Sequence, residues 1–156
     1  MSEAKPHRKR DIFVEGAIPA SFIADSISKH ATRHDIGAHE IFLGQVRADE
    51  VVTPGSTRSR VQAIEYTAYV DMANEQMTLI REEAFAKWPA MTCLHVHHSL
   101  GMIPAGQLCF MVFASAPHRQ QAREAVAYVT DEVKKRLPIF GKEIFAEGGH
   151  TWKENR

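Results

Sequence analysis

The chain has 156 residues, 44% of them hydrophobic and 24% charged, which fits one globular domain able to bury a core without covalent staples. Nineteen Lys and Arg balance nineteen Asp and Glu, so charge gives no basis for general nucleic-acid binding, and any cationic site must be local. Cys93 and Cys109 sit in apolar stretches without CxxC spacing, no window approaches a membrane span, and no apolar core follows the charges of MSEAKPHRKRDIF. The expectation is a reducing, cytoplasmic setting, with a flexible tail over residues 1–11 and a single domain over 12–156.

Along the chain, residues 13–20 read as a short strand entering a turn at Pro19, and 20–32 as a helix with Phe22, Ile23 and Ile27 on one side. AHEIFLGQVR (38–47) is a strand candidate in which Gly44 suggests a bulge or a close backbone approach. Residues 48–60 read as a long loop turning at Pro54-Gly55, and 61–69 as a second strand. Over 71–88, Ala73, Met77, Ile80, Ala84 and Trp88 form the apolar stripe of a helix that Pro89 stops. A third strand is expected over 91–98, a Gly/Pro turn over 101–106, and a strand buried on both faces over 107–115. Pro117 opens the last helix, with Ala122, Val126, Val129, Val133 and Leu137 facing the core, and Pro138 closes it. The stretch from 139 to 152 reads as turn and short strand. Strands separated by single helices predict an α+β sandwich.

The cations are concentrated in two places. His118 and Arg119 begin the last helix, where backbone N–H groups and the helix dipole favour an anion. Lys134, Lys135 and Arg136 end it, and Lys142 follows the turn. Lys135 and Arg136 have acids four residues earlier, Asp131 and Glu132, whereas Lys134 has Thr130 there, which makes Lys134 the preferred reactive amine. Roughly 20 Å or more of helix separates the two ends, so a site using both needs other segments or a second subunit. Cys93, His95 and His97 alternate on one strand face, but over ~13 Å, and no metal is expected from them. His98 faces the other way, towards a possible cleft. His30, His34 and His39 show no convincing ligand spacing.

Four stretches together, GQVR (44–47), HHSLGMIPAG (97–106), ASAPHR (114–119) and VKKRLPIFGKE (133–143), resemble the large, catalytic subunit of molybdopterin synthase, the MoaE family. The resemblance runs from about Ile12 to Trp152, in the right order. It implies an α/β-hammerhead fold with a mixed or antiparallel sheet. It implies conversion of cyclic pyranopterin monophosphate to molybdopterin by two sulfurs carried as a thiocarboxylate on the C-terminal glycine of a small ubiquitin-like subunit. It implies a homodimer with a small subunit at each end, and no cofactor or metal for this step. Carried onto this chain, Arg47, His118 and Arg119 would bind the phosphate and pterin. Gln45, Val46, Gly141 and Glu143 would belong to the same substrate site, and Lys134 and Lys142 would be catalytic. The family's usual Pro-x-Trp-Lys-Lys/Arg-Glu is here Pro138-Ile139-Phe140-Gly141-Lys142-Glu143, so Gly141 stands at a lysine position and Lys142 one residue later is the expected substitute. A paralogue that binds the ubiquitin-like partner without turnover is the alternative.

Overall fold

The computed structural model describes residues 10–53 and 57–153. In chain order these form β1 (Phe13–Glu15), α1 (Ser21–His30), β2 (Ala38–Gln45), β3 (Glu50–Thr53), β4 (Thr57–Ala68), α2 (Val70–Lys87), β5 (Cys93–Pro104), β6 (Leu108–Ala116), α3 (Arg119–Arg136), β7 (Ile139–Phe145) and β8 (His150–Trp152). The strands make one open sheet ordered β2-β6-β5-β4-β7-β8, with β3 added on β4. All of these pairs are antiparallel, and β1 joins β5 in parallel. The α+β architecture and mixed sheet expected from the sequence are the ones present.

Strand alternation sorts the helices into two layers. Phe110, Val112 and Ala114 of β6 share one buried cluster with Ala73, Met77, Ile80 and Ala84 of α2 and Val126, Val129 and Val133 of α3. Met111 and Phe113 take the opposite face, against Phe22 and Ile23 of α1. Both long helices follow their apolar stripes as read from the sequence. The α1 helix buries no residue fully, so it is a light cover on its side of the sheet.

Three sequence expectations are corrected. The loop expected over 48–60 is largely a hairpin: β3 pairs with β4, Glu50 opposite Arg60 and Val51 opposite Ser59. Its alternation was hidden because the inward position before Val61 is a small polar residue, Ser59, which is 6% exposed. Pro54-Gly55 lies outside the described residues. The Gly/Pro stretch over 101–106 is strand as far as Pro104, and only Ala105 and Gly106 turn. There β5 leaves β6 after His98 and pairs with β4 from Gly101. Gly101 takes φ +86°, a left-handed conformation open to glycine, as the strand changes partners. Finally, the turn and short strand expected after α3 are two strands around a turn: β7 runs along β4 from Ile139 opposite Ala68 to Phe145 opposite Val61, and β8 follows at His150–Trp152.

Candidate functional site

A cleft of about 1150 Å³ opens where the end of β2, the middle of β4, the last turn of α3 and the β7–β8 hairpin meet. Its floor is aromatic and apolar, from Tyr66 and Phe110. Its polar lining includes Gln45, Arg47, Lys134, Glu143 and Lys153.

The last turn of α3 delivers Lys134, one residue after the buried Val133 that anchors the helix to the core. Its ammonium lies over the Phe110 ring, 5.9 Å from the centroid. Although the residue is open to solvent at the cleft mouth, partial desolvation of the amine lowers its pKa from the ordinary lysine value, and the charge of Lys153 adds to the effect. An amine held this way exchanges its proton more readily than a surface lysine and still stands where an anion would enter.

His98, which alternation had turned towards a cleft, lines the wall. Its Nδ1 lies 2.8 Å from the Ser99 carbonyl oxygen, which assigns the proton of the neutral ring to Nδ1. Its ring meets Tyr66 edge-on at 4.9 Å and Phe110 at 5.4 Å. Burial pushes its pKa down to about 4, with Lys134 and Lys153 acting in the same direction against the Ser99 contact. It is therefore a neutral wall residue at physiological pH. Tyr66 donates from its hydroxyl to Cys109 Sγ at 3.5 Å, and burial raises its pKa, so the phenol stays protonated.

The residues singled out in the sequence divide. Gln45, Arg47, Lys134, Gly141 and Glu143 line the cleft. Arg47 is highly exposed at the mouth and pairs with Asp49 at 3.2 Å. Val46 is 2% exposed and outside the lining; its backbone bridges Gln107 and Gly106, holding the turn that carries Gln45 and Arg47. Lys142 is also outside the lining. It pairs with Glu65 at 3.6 Å and lies 5.8 Å from the Trp152 ring centroid. His118 caps the other end of α3, about 24 Å from Lys134 along the axis at 1.5 Å per residue, and neither His118 nor Arg119 lines the cleft of this chain.

Lys153 was missed. Its backbone N–H donates to Gly141 O at 2.8 Å, which sets it beside the position where β7 has no side chain. Its signal in the sequence was faint: one lysine after a Gly-Gly turn and a tryptophan.

The cleft lies beside the C-terminal end of α3, on an open sheet covered by the three helices, and its lining gathers Arg47, Lys134, Lys135 and Lys153 together with Asp49, Glu50 and Glu143. A large, partly apolar cleft with convergent polar groups is the default candidate for a ligand site. The sequence model of the MoaE protein family matches residues 18–136, and the chain belongs to that family. The chain is 38% identical over 122 residues to molybdopterin synthase catalytic subunit 2 of Aedes aegypti, covering 77% of this chain and 75% of that one. Its fold is similar to the crystal structure of molybdopterin synthase from Staphylococcus aureus, with TM-score 0.76, 27% identity, and 95% and 99% of the two chains covered. A further fold match, at TM-score 0.72 and 19% identity over 92% of this chain and 90% of that one, is a Helicobacter pylori complex of subunits 1 and 2 of molybdopterin-converting factor. The family match ends at residue 136, so it includes Lys134 and stops before β7, β8 and Lys153.

Proposed function

We propose that this chain is the catalytic subunit of molybdopterin synthase, a sulfurtransferase that builds the dithiolene of molybdopterin on cyclic pyranopterin monophosphate. The observation that carries the reading is Lys134, whose ammonium lies over the Phe110 ring in a large cleft that Lys153 also lines, in a chain whose net charge is zero. The family membership and the curated relative named for this activity support it.

The sulfur donor is the thiocarboxylated C-terminal glycine of a small ubiquitin-like subunit, and both donor tail and substrate phosphate are anions. In a neutral protein, their common site needs cations gathered locally. Lys134, with its ammonium over the Phe110 ring of the aromatic floor, is placed to act on the reacting thiocarboxylate or substrate carbons. Lys153 supplies the second amine, in the place left by Gly141. Arg47 meets the phosphate at the mouth, and Gln45 and Glu143 orient the pterin. Lys142 is committed to Glu65 and contributes to the hairpin rather than to the chemistry.

His118 and Arg119 act on the substrate of a second protomer. Their separation from Lys134 within one chain is the argument for a homodimer whose clefts are completed in trans. The reaction is assigned to the cytoplasm, in keeping with two cysteines that form no disulfide.

The test is reconstitution. Purified chain, thiocarboxylated small subunit and cyclic pyranopterin monophosphate should yield molybdopterin, and Lys134→Ala should cut product formation by about 100-fold or more while still binding the small subunit. A wild-type chain that binds the small subunit and makes no product would instead identify a non-catalytic paralogue. Mixing Lys134→Ala with Arg119→Ala chains should restore part of the activity if sites are shared between protomers, and leave none if each chain works alone.

A further inference from the structure

On the α1 side of the sheet, away from the cleft, three ligand-type atoms converge. His30 ends α1, and Cys93 and His95 begin β5, two residues apart and so on one face. His30 Nε2 lies 3.0 Å from Cys93 Sγ, and His95 Nε2 lies 2.8 Å from the same sulfur. All three atoms are within 4.8 Å of one another. The spacing of Cys93, His95 and His97 along one strand argued against a metal. The fold changes the set: His97 turns to the Phe22 ring at 5.2 Å, and His30 arrives from 63 residues away.

We propose that His30, Cys93 and His95 form a zinc site that fastens α1 to the sheet. The donor set, one thiolate and two imidazoles, suits zinc and disfavours magnesium and calcium, which take oxygen ligands. Tetrahedral zinc needs N···S edges of about 3.5 Å, so the cluster admits the ion by opening roughly 0.5–0.7 Å at each contact. Three protein ligands leave a fourth position for water.

The orientation of His30 supports the assignment. Its Nδ1 donates to the Ser26 carbonyl, so the neutral ring carries its lone pair on Nε2, aimed at the sulfur. A ligating histidine is held in this way by its second nitrogen. The His30 ring stacks on Phe113 at 5.6 Å and 26°, and His95 leans on the same ring at 6.0 Å. All three residues are partly exposed, so an ion can enter from solvent. Burial raises the pKa of the Cys93 thiol, and the charges of Arg81 and Arg33 offset this only in part, so zinc would bind by displacing the thiol proton. The two guanidiniums are engaged by the Leu94 carbonyl and by Asp35.

A hydrogen-bonded triad would place one thiol proton between two imidazole nitrogens and need His95 to donate to sulfur. Zinc satisfies all three lone pairs together. It also explains how α1, which buries no residue fully, is held to β5.

The experiment uses untagged, chelator-stripped full-length chain titrated with zinc alone, read by chelator competition, and with cobalt, read by its absorption spectrum. One zinc per chain is expected, with the ligand-field bands of tetrahedral cobalt, a thiolate-to-cobalt band, and a melting temperature that rises with zinc. Cys93→Ser and His30→Gln should each weaken zinc binding by about 100-fold or more, beyond the range that loss of an outer partner costs. Cys109→Ser and His34→Ala should bind as wild type. Circular dichroism checks that each variant is folded, and His30→Gln, at a helix end, decides if Cys93→Ser is not. No stoichiometric binding, or unchanged affinity in folded Cys93→Ser or His30→Gln, overturns the site. Molybdopterin formation plays no part in the readout, so the result is independent of the proposed activity.

Discussion

Lys142 stands directly opposite Glu65 in the β4–β7 ladder, and its ammonium lies 3.6 Å from that carboxylate. The adjacent residue, Gly141, points to the other face and lines the cleft. One step along a strand thus separates a lysine outside the cleft from the position inside it. Lys142→Ala should change turnover by no more than about 3-fold, because a partly exposed pair contributes little. Lys153→Ala should lower turnover by about 10-fold or more, as loss of a cation aimed at developing charge does. Parallel kcat measurements on the two variants distinguish them.

Lys134→Ala should reduce turnover by about 100–1000-fold with little loss of folding. Its pKa is depressed first by desolvation and then by Lys153. Removing Lys153 should therefore raise the Lys134 pKa and move the corresponding limb of the pH–rate profile to higher pH. A profile of Lys153→Ala that does not move would separate the two amines electrostatically. For stability the sign is opposite to that of a stabilising lysine. The unfolded chain keeps this proton longer, so Lys134 penalises the fold below its folded pKa, and the penalty fades as pH rises towards the unfolded value.

His98 titrates near pH 4 in the fold and near the ordinary histidine value when unfolded. Between these values the unfolded chain binds the extra proton, so stability rises with pH. The contribution is fully present above the unfolded pKa and is lost as pH falls towards 4, by roughly 3 kcal/mol at most. Urea unfolding at several pH values, compared with His98→Phe, should show a shallower acid loss in the variant.

Gly37 leaves no room for a side chain. A Cβ there would lie 2.2 Å from the backbone oxygen of Pro117, and the Gly37 N–H donates to Ala116 O at 3.0 Å. Gly37→Ala should cost about 2 kcal/mol or more, since the obstruction is backbone and cannot rotate away. Thermal unfolding measures it. The loss should also disturb the β6–α3 junction that presents His118.

The helices were legible because their apolar residues recur every three or four positions and nothing interrupts them: Ala73 to Ala84 and Ala122 to Val133 are the buried stripes found. The strands were less so. Ser59 hides the inward face of β4, and β7, with Gly141 and Glu143 facing an open cleft, has no apolar reason to alternate. Lys134 could be singled out because its i−4 neighbour carries no charge. Lys153 and His30 could not, since each acquires its partners across the sheet, from Gly141 and from Cys93, and no local spacing encodes that.

The pairing of β7 with β4 has a consequence for how the protein matures. During synthesis, β4, α2, β5, β6 and α3 all precede β7, whose Phe145 is buried in the same core. Until β7 emerges the β4 edge that will take it is unpaired, and Tyr66 and Ile64 face solvent without Gly141 above them. Pairing of β7 therefore both seats Phe145 in the core and closes the cleft, as the last step of the sheet before β8. A nascent or truncated chain can be compact and still present a raw sheet edge, the feature by which a cell's chaperones and proteases can distinguish unfinished copies from finished ones.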